Sequence, residues 1–150
     1  MDFKLLNKDT VNMYIEYLKV AFLEEPELMC AEIIDEGGIK ARIGEELFNR
    51  SKSILAIEKG EVLGRIEFHF YGCIQDGVKM AYVSWIYVLK KYRNKGIGKL
   101  LFEAFEKECR KNDIDKYYLI RAENEFANRF YKGFENVKFG TEPLLRKNLK

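Results

Sequence analysis

The sequence predicts an α/β domain built on a mixed central sheet. Two observations predict it. Apolar residues recur every three or four positions at 13–21 and again at 97–109, while the runs 53–58, 62–70 and 80–89 are rich in β-formers. At 150 residues the chain suits one domain spanning 1–150, and its elements read β-α-α-β-β-β-α-β-α-β-β.

Each element has its own signal. Residues 2–6 read as a short strand. Asp9 or Thr10 caps a first helix, on which Met13, Tyr14, Tyr17, Leu18 and Ala21 share a face. A second helix is predicted over 38–50, with Ile39, Ile43, Leu47 and Phe48 on one side. The runs 53–58 and 62–70 are joined by Lys59-Gly60, a hairpin signal, and Gln75-Asp76-Gly77 marks the next turn. The run 80–89 (MAYVSWIYVL) reads as a buried central strand. A third helix carries Ile97, Leu100, Leu101, Ala104, Phe105 and Cys109 on one face; 117–121 is a strand and 124–131 a fourth, short helix. Two last strands are predicted near 137–139 and 143–149.

Composition excludes several classes. No run of about 18 apolar residues exists, so no membrane span and no membrane partner is expected. The N-terminus lacks a basic-then-apolar leader pattern. Cys30, Cys73 and Cys109 are odd in number, far apart and free of any C-x-x-C pairing, which argues against a disulfide framework and against zinc. A cytoplasmic protein with reduced thiols and no metal is expected. Net charge is only +2, but residues 1–64 carry a net −5 and residues 65–150 a net +7. That asymmetry suits an anionic ligand on the second half and a cationic one on the first; solvated faces explain it equally well.

The informative segment runs from Tyr87 to Leu101. A strand ends, a basic loop follows (Lys90, Lys91, Arg93, Lys95, Lys99), and Gly96 and Gly98 sit where a helix begins. A helix N-terminus offers unpaired N–H groups and partial positive charge to a phosphate, and glycine lets the backbone approach closely. A dinucleotide fingerprint would need glycine at 101, where leucine stands. A P-loop would need Ser or Thr at 100, where another leucine stands. The basic residues occupy one loop rather than a broad face, so a nucleic-acid partner is not expected.

Arg93-x-x-Gly96-x-Gly98, following a strand that reads Trp85-Ile-Tyr-Val88, resembles the Arg/Gln-x-x-Gly-x-Gly/Ala signature of the GNAT (GCN5-related N-acetyltransferase) family. The resemblance extends over almost the whole chain through the order of elements. It implies a mixed sheet flanked by about four helices, with the fourth and fifth strands splayed to admit acetyl-CoA. It implies that Arg93, Asn94, Lys95, Gly96, Ile97, Gly98 and Lys99 hold the cofactor's pyrophosphate. Ile86, Tyr87 and Val88 would pair with the pantetheine arm, and the Val88 amide would polarise the thioester oxygen. Asn124-x-x-Ala127-x-x-Phe130-Tyr131 resembles the family's helix in which the asparagine contacts pantetheine and the tyrosine protonates the departing thiolate.

This sequence departs from the family in two places. Gly133-Phe134 begins two residues beyond Tyr131, earlier than the family's Gly-Phe, or alternatively Lys138-Phe139 takes that place after an insertion; and Ser84 stands where many relatives have a glutamate base. The alternation Arg65, Glu67, His69, Tyr71 offers Glu67 as the base, acting through a water, with His69 as the other candidate. The acids Glu24, Glu25, Glu27, Glu32, Asp35 and Glu36 fall where the family frames its acceptor. Acidic lining suits a small-molecule or peptide amine acceptor, a polycationic one included; a solvated helix face gives the same sequence. Many members dimerise, so the resemblance also allows a homodimer. The expected activity is transfer of an acetyl group from acetyl-CoA to a primary amine. The alternative is a non-catalytic acyl-CoA-binding or regulatory module.

Overall fold

A computed structural model describes residues 1–28, 33–122 and 124–149. They form two compact units, 1–120 and 121–150.

The first unit is a five-stranded sheet in the order β1 (Asp2–Leu5), β2 (Ser51–Glu58), β3 (Glu61–Gly72), β4 (Lys79–Val88), β5 (Lys116–Leu119). The first four strands are antiparallel, and β5 is parallel to β4. A parallel neighbour requires a crossover, which the helix α3 (Ile97–Lys111) supplies. Lys59 and Gly60 both take positive φ in the β2–β3 turn, as the hairpin signal requires.

Strand alternation sends neighbouring side chains of β3 to opposite faces. On one face Arg65 lies against Tyr14 of the helix α1 (Val11–Glu24), beside a cluster of Tyr17, Leu18, Ala21, Leu55, Val62, Tyr87 and Leu89. On the other face Phe68 packs on Phe105 of α3, with ring centroids 4.8 Å apart, and Phe105 meets Tyr117 of β5 at 5.0 Å. Phe68, Phe102, Phe105, Leu55, Ile66 and Leu101 are fully buried. The 3.6-residue period of α3 and the two-residue period of β3 therefore meet in one core.

Three expectations need correction. The predicted helix over 38–50 is two elements, α2 (Glu36–Arg42) and a 3-10 turn (Glu46–Arg50). Gly44 separates them at φ +99°, a conformation that no right-handed helix contains. The strands predicted near 137–139 and 143–149 do not form. Val137, Phe139, Leu144, Leu145 and Leu149 are all exposed, so no burial offsets the cost of ordering them as strands. Thr10 is the residue before α1, but its side chain makes no cap there; its hydroxyl and the Asn7 amide oxygen instead close the preceding turn.

The second unit holds the helix α4 (Glu125–Lys132), capped by Asn124, whose side-chain oxygen accepts from the Ala127 N–H at 2.9 Å. Phe130, Tyr131 and Phe134 form a ring cluster with centroids 5.1–6.1 Å apart. Arg121 hydrogen-bonds Asn128 and lies over the Phe139 ring. Among the described residues no helix is long and apolar enough to cross a membrane.

Gly64 fixes how closely β3 and β4 approach where the loop begins. A Cβ there would meet the Tyr87 carbonyl oxygen and Val88 Cγ2 at 3.0 Å and Val88 Cα at 3.2 Å. The Tyr87 oxygen cannot easily retreat, because it accepts from the buried Tyr17 hydroxyl at 3.0 Å. Gly64→Ala is therefore expected to destabilise the chain by about 1–3 kcal/mol. Urea unfolding monitored at the single Trp85 measures this, and an unchanged midpoint would show that the strands have slack.

Candidate active site

The site grows from an irregularity in β4. Glu67 faces Trp85 and Phe68 faces Val83, which leaves Ser84 unpaired as a bulge. An extra residue in one strand re-aims its neighbours and increases local twist. On the Met80 side of the bulge, β4 is paired to β5 from Met80 through Val83. On the other side β5 stops at Leu119, while β4 continues to Val88 with β3 alone.

Register then decides which backbone groups of β4 face away from β3. The Leu89 N–H donates to the Leu63 oxygen at 3.0 Å, so 89/63, 87/65 and 85/67 are the hydrogen-bonded pairs. Antiparallel pairs alternate, hence Ile86 and Val88 turn their N–H and C=O groups away from β3, towards the side where β5 has ended. Tyr87, between them, points its backbone at β3. Its phenol donates to Glu24 Oε2 at 2.9 Å and is pushed upward in pKa by burial and by that carboxylate.

The loop beyond is short and strongly shaped. Lys90–Tyr92 make one 3-10 turn, Asn94 takes φ +61°, and Gly96 takes φ +77° as the residue before α3. The N–H groups of Ile97, Gly98 and Lys99 lie in the first turn of α3, where no earlier helical carbonyl can accept from them. Among the described residues, Lys95 and Lys99 make no ion pair.

The other basic residues are already engaged. Arg93 donates from Nε to the Val88 oxygen at 3.0 Å and from Nη2 to Glu25 at 3.0 Å, and lies over the Tyr87 ring. Lys90 reaches Glu25 at 3.4 Å, and its backbone N–H donates to Glu24 Oε2 at 2.9 Å. Lys91 and the Tyr92 hydroxyl meet Glu61. Much of the acidic stretch is also engaged within the protein. Glu24 and Glu25 hold the loop, Asp35 caps α2, and Glu36 pairs with Lys19 at 2.8 Å. Glu27 is exposed, and Glu32 and Cys30 lie outside the described residues.

Glu67 sits in a polar network that alternation alone did not show. Its Oε2 accepts from Arg65 at 2.7 Å and from the Ser53 hydroxyl at 3.3 Å, and its Oε1 accepts from the Ser84 hydroxyl at 3.1 Å. Ser84 also lies 3.0 Å from His69 Nε2, and Ser51 lies 2.9 Å from His69 Nδ1. Arg65 is buried between the Tyr14 and Trp85 rings, whose faces compensate a guanidinium taken out of water. Ser51 and Ser53 were not among the residues singled out in the sequence, because their place opposite His69 and Glu67 depends on the β2–β3 register.

Residues 86–99 and Glu67 thus belong to the first unit. Asn124 and Tyr131 belong to the second. Burial raises the Tyr131 phenol above its ordinary pKa, so the hydroxyl keeps its proton at neutral pH. Among the described residues, no three His, Cys, Asp or Glu side chains converge as a metal-binding group.

Known proteins share this architecture. An aminoglycoside acetyltransferase from an uncultured soil metagenomic sample, solved with sisomicin, superposes with a TM-score of 0.83 over 99% of this chain and 96% of its own, at 14% identity. A ribosomal-protein-alanine N-acetyltransferase from Brucella melitensis biovar Abortus superposes with a TM-score of 0.75 over 98% and 100%, at 17% identity. In sequence, an uncharacterized N-acetyltransferase of Chlorobaculum tepidum is 29% identical over 106 residues, a stretch covering 69% of this chain and 65% of that protein. The sequence profile of the Acetyltransferase (GNAT) family matches residues 11–135. With that match over most of its length and the sheet parting where the family's does, the chain belongs to the GNAT acetyltransferase family.

Proposed function

We propose that residues 1–150 act as one catalytic domain, in the cytoplasm, moving an acetyl group from acetyl-CoA to a primary amine by direct attack. The observation that carries this reading is the β4 edge at Ile86 and Val88, which among the described residues no strand pairs, running into a glycine-opened helix start. A pantetheine arm has amides that match such an edge, and a pyrophosphate matches first-turn N–H groups flanked by Lys95 and Lys99. Acetyl-CoA supplies an activated thioester, and no metal is required for its aminolysis.

The residues take the following roles. Ile86, Tyr87 and Val88 hold the arm, and the Val88 N–H stabilises the oxygen of the thioester as negative charge develops on it. Arg93, Asn94, Lys95, Gly96, Ile97, Gly98 and Lys99 hold the pyrophosphate. Asn124 spends its side-chain oxygen on capping α4, so its amide nitrogen is the end that contacts the arm. Glu67 takes a proton from the incoming ammonium through a water, and Tyr131 gives its proton to the departing thiolate. A phenol held above its usual pKa retains that proton until a thiolate forms.

The acceptor is a primary amine on a small molecule or peptide. Structures of the same fold act on an aminoglycoside and on a ribosomal-protein alanine. A polycationic acceptor is favoured less by the acidic stretch than its composition suggests, since Glu24, Glu25 and Glu36 already have internal partners.

Three experiments test the reading. Acetyl-CoA at a hundredfold excess over Kd is expected to add about 2.7 kcal/mol of stability, read as a rise in Tm. Gly96→Asp is expected to abolish that rise, while Gly96→Asn, which tolerates positive φ and carries no charge, retains most of it. Equal loss in both variants would mean that strain, and not charge against a pyrophosphate, is responsible. Tyr131→Phe is expected to leave acetyl-CoA affinity unchanged and to lower kcat by roughly 10²–10⁴-fold; an unchanged kcat would leave Tyr131 a packing residue. Release of CoA across a panel of amines, aminoglycosides and peptides separates the enzyme from a non-catalytic acyl-CoA-binding module, which would bind and release nothing.

A further inference from the structure

Glu67 does not stand alone, and its partners form a continuous line across three strands. The Ser84 hydroxyl lies 3.1 Å from Glu67 Oε1 and 3.0 Å from His69 Nε2, and the Ser51 hydroxyl lies 2.9 Å from His69 Nδ1. The line exists because of the β4 bulge. Glu67 pairs with Trp85 and His69 with Tyr82, so a regular strand would have no residue between those two positions on this face. The unpaired Ser84 is that residue, and its hydroxyl fills the gap between the carboxylate and the imidazole.

The two ends differ. Glu67 Oε2 is held by Arg65 and Ser53, which leaves Oε1 as the oxygen that faces the serine. His69 is half-buried, stacks on Tyr82 and reaches solvent. A base that removes a proton at every turnover must lose it again, and a carboxylate pinned by Arg65 and two serines needs a route for that loss.

We infer that Ser84 and His69 form a side-chain relay that carries the acceptor's proton away from Glu67 to solvent, with Ser51 fixing the histidine tautomer. This rests on the proposed acetyl transfer. While Glu67 is ionised the Ser84 hydroxyl donates to its Oε1 and the His69 Nδ1–H donates to Ser51; once the carboxyl gains a proton, the Ser84 hydroxyl turns to donate to Nε2. Once Glu67 has been protonated, its proton passes to Ser84 Oγ while the serine's own proton moves to His69 Nε2. The product is an imidazolium and a regenerated carboxylate, and the imidazolium then releases its proton to water. Ser84 and His69 are positioning residues, since they act through Glu67 and touch no reacting atom. The serine that stands where relatives have a glutamate is then the link that lets Glu67, one strand away, serve in its place.

The test uses the full chain. His69→Gln keeps hydrogen-bonding groups near both serines but carries no proton, and Ser84→Ala removes the link while leaving both ends. Each is expected to lower kcat about 10-fold or more at neutral pH with KM for acetyl-CoA unchanged. Because the two act in series, the double variant should be no slower than the worse single one. The deficit should shrink at high pH, where the amine arrives deprotonated. Unchanged rates, additive losses or a pH-independent deficit each overturn the relay.

A second readout needs no substrate. His69 is the only histidine in the chain, so its ring signals in NMR are unambiguous. Its neighbours are Ser51 on β2, Ser84 and Tyr82 on β4 and, across Ser84, Glu67 on its own strand. Of these only Glu67 is a carboxylate. Ser51→Ala should change the His69 tautomer, read from the nitrogen shifts of the ring, because the Ser51 hydroxyl is the partner that holds Nδ1. An active wild type whose ring tautomer is unchanged in Ser51→Ala overturns the relay alone. A wild type that releases no CoA with any amine overturns the acetyl-transfer reading, and the relay's part in it.

Discussion

Strand β4 pairs with β3 along its length but passes Ser84 without a partner, and that unpaired residue sets the geometry on both sides of it. Towards Met80 the strand is an ordinary interior strand, paired on both edges. Towards Val88 it is paired on one edge only; Ile86 and Val88 turn their amides to the open side, where the Val88 carbonyl accepts from Arg93. Open strand edges are a hazard that folded proteins usually cover. Here the edge is short, ends in a basic turn, and has the hydrogen-bonding pattern of a third strand that the chain itself does not provide.

The charge distribution acquires a meaning different from the one its arithmetic suggests. An acidic first half and a basic second half invite the idea of two ligands of opposite sign. In the structure the two halves answer each other. Glu24, Glu25 and Glu61 meet Lys90, Arg93, Lys91 and Tyr92 around one loop. These contacts are largely exposed, and each is worth little in water. Their value is positional: they fix a loop of unusual dihedral angles against the end of α1. Lys95 and Lys99 lie outside this arrangement and, among the described residues, make no ion pair.

What was legible in the sequence followed from periodicity and from glycine. The 97–109 stripe gave α3, the β-rich runs gave β2 to β4, and Gly96 and Gly98 located the helix start. What was not legible depended on partners distant in sequence. The bulge at Ser84 cannot be read from MAYVSWIYVL, because it exists only relative to the register of β3. The Ser51–His69 and Ser53–Glu67 pairings have the same origin. The helix over 38–50 failed at Gly44, where a continuing apolar period outweighed one glycine in the reading but not in the backbone. The tail strands failed because alternation predicts a sheet face only where there is a sheet to bury it, and those residues stay in water.

The carboxylate of Glu24 also has a dynamic consequence. It accepts from the Tyr87 hydroxyl and from the Lys90 backbone N–H, and it belongs to the last residue of α1. The Lys90 amide is therefore shielded from solvent exchange by a side chain from another element, and not by a sheet or helix of its own. To expose that amide, the strand end must let go of the helix end. Fraying of α1 and opening of the loop become one cooperative event, and the loop takes on an opening free energy that its own few residues could not sustain.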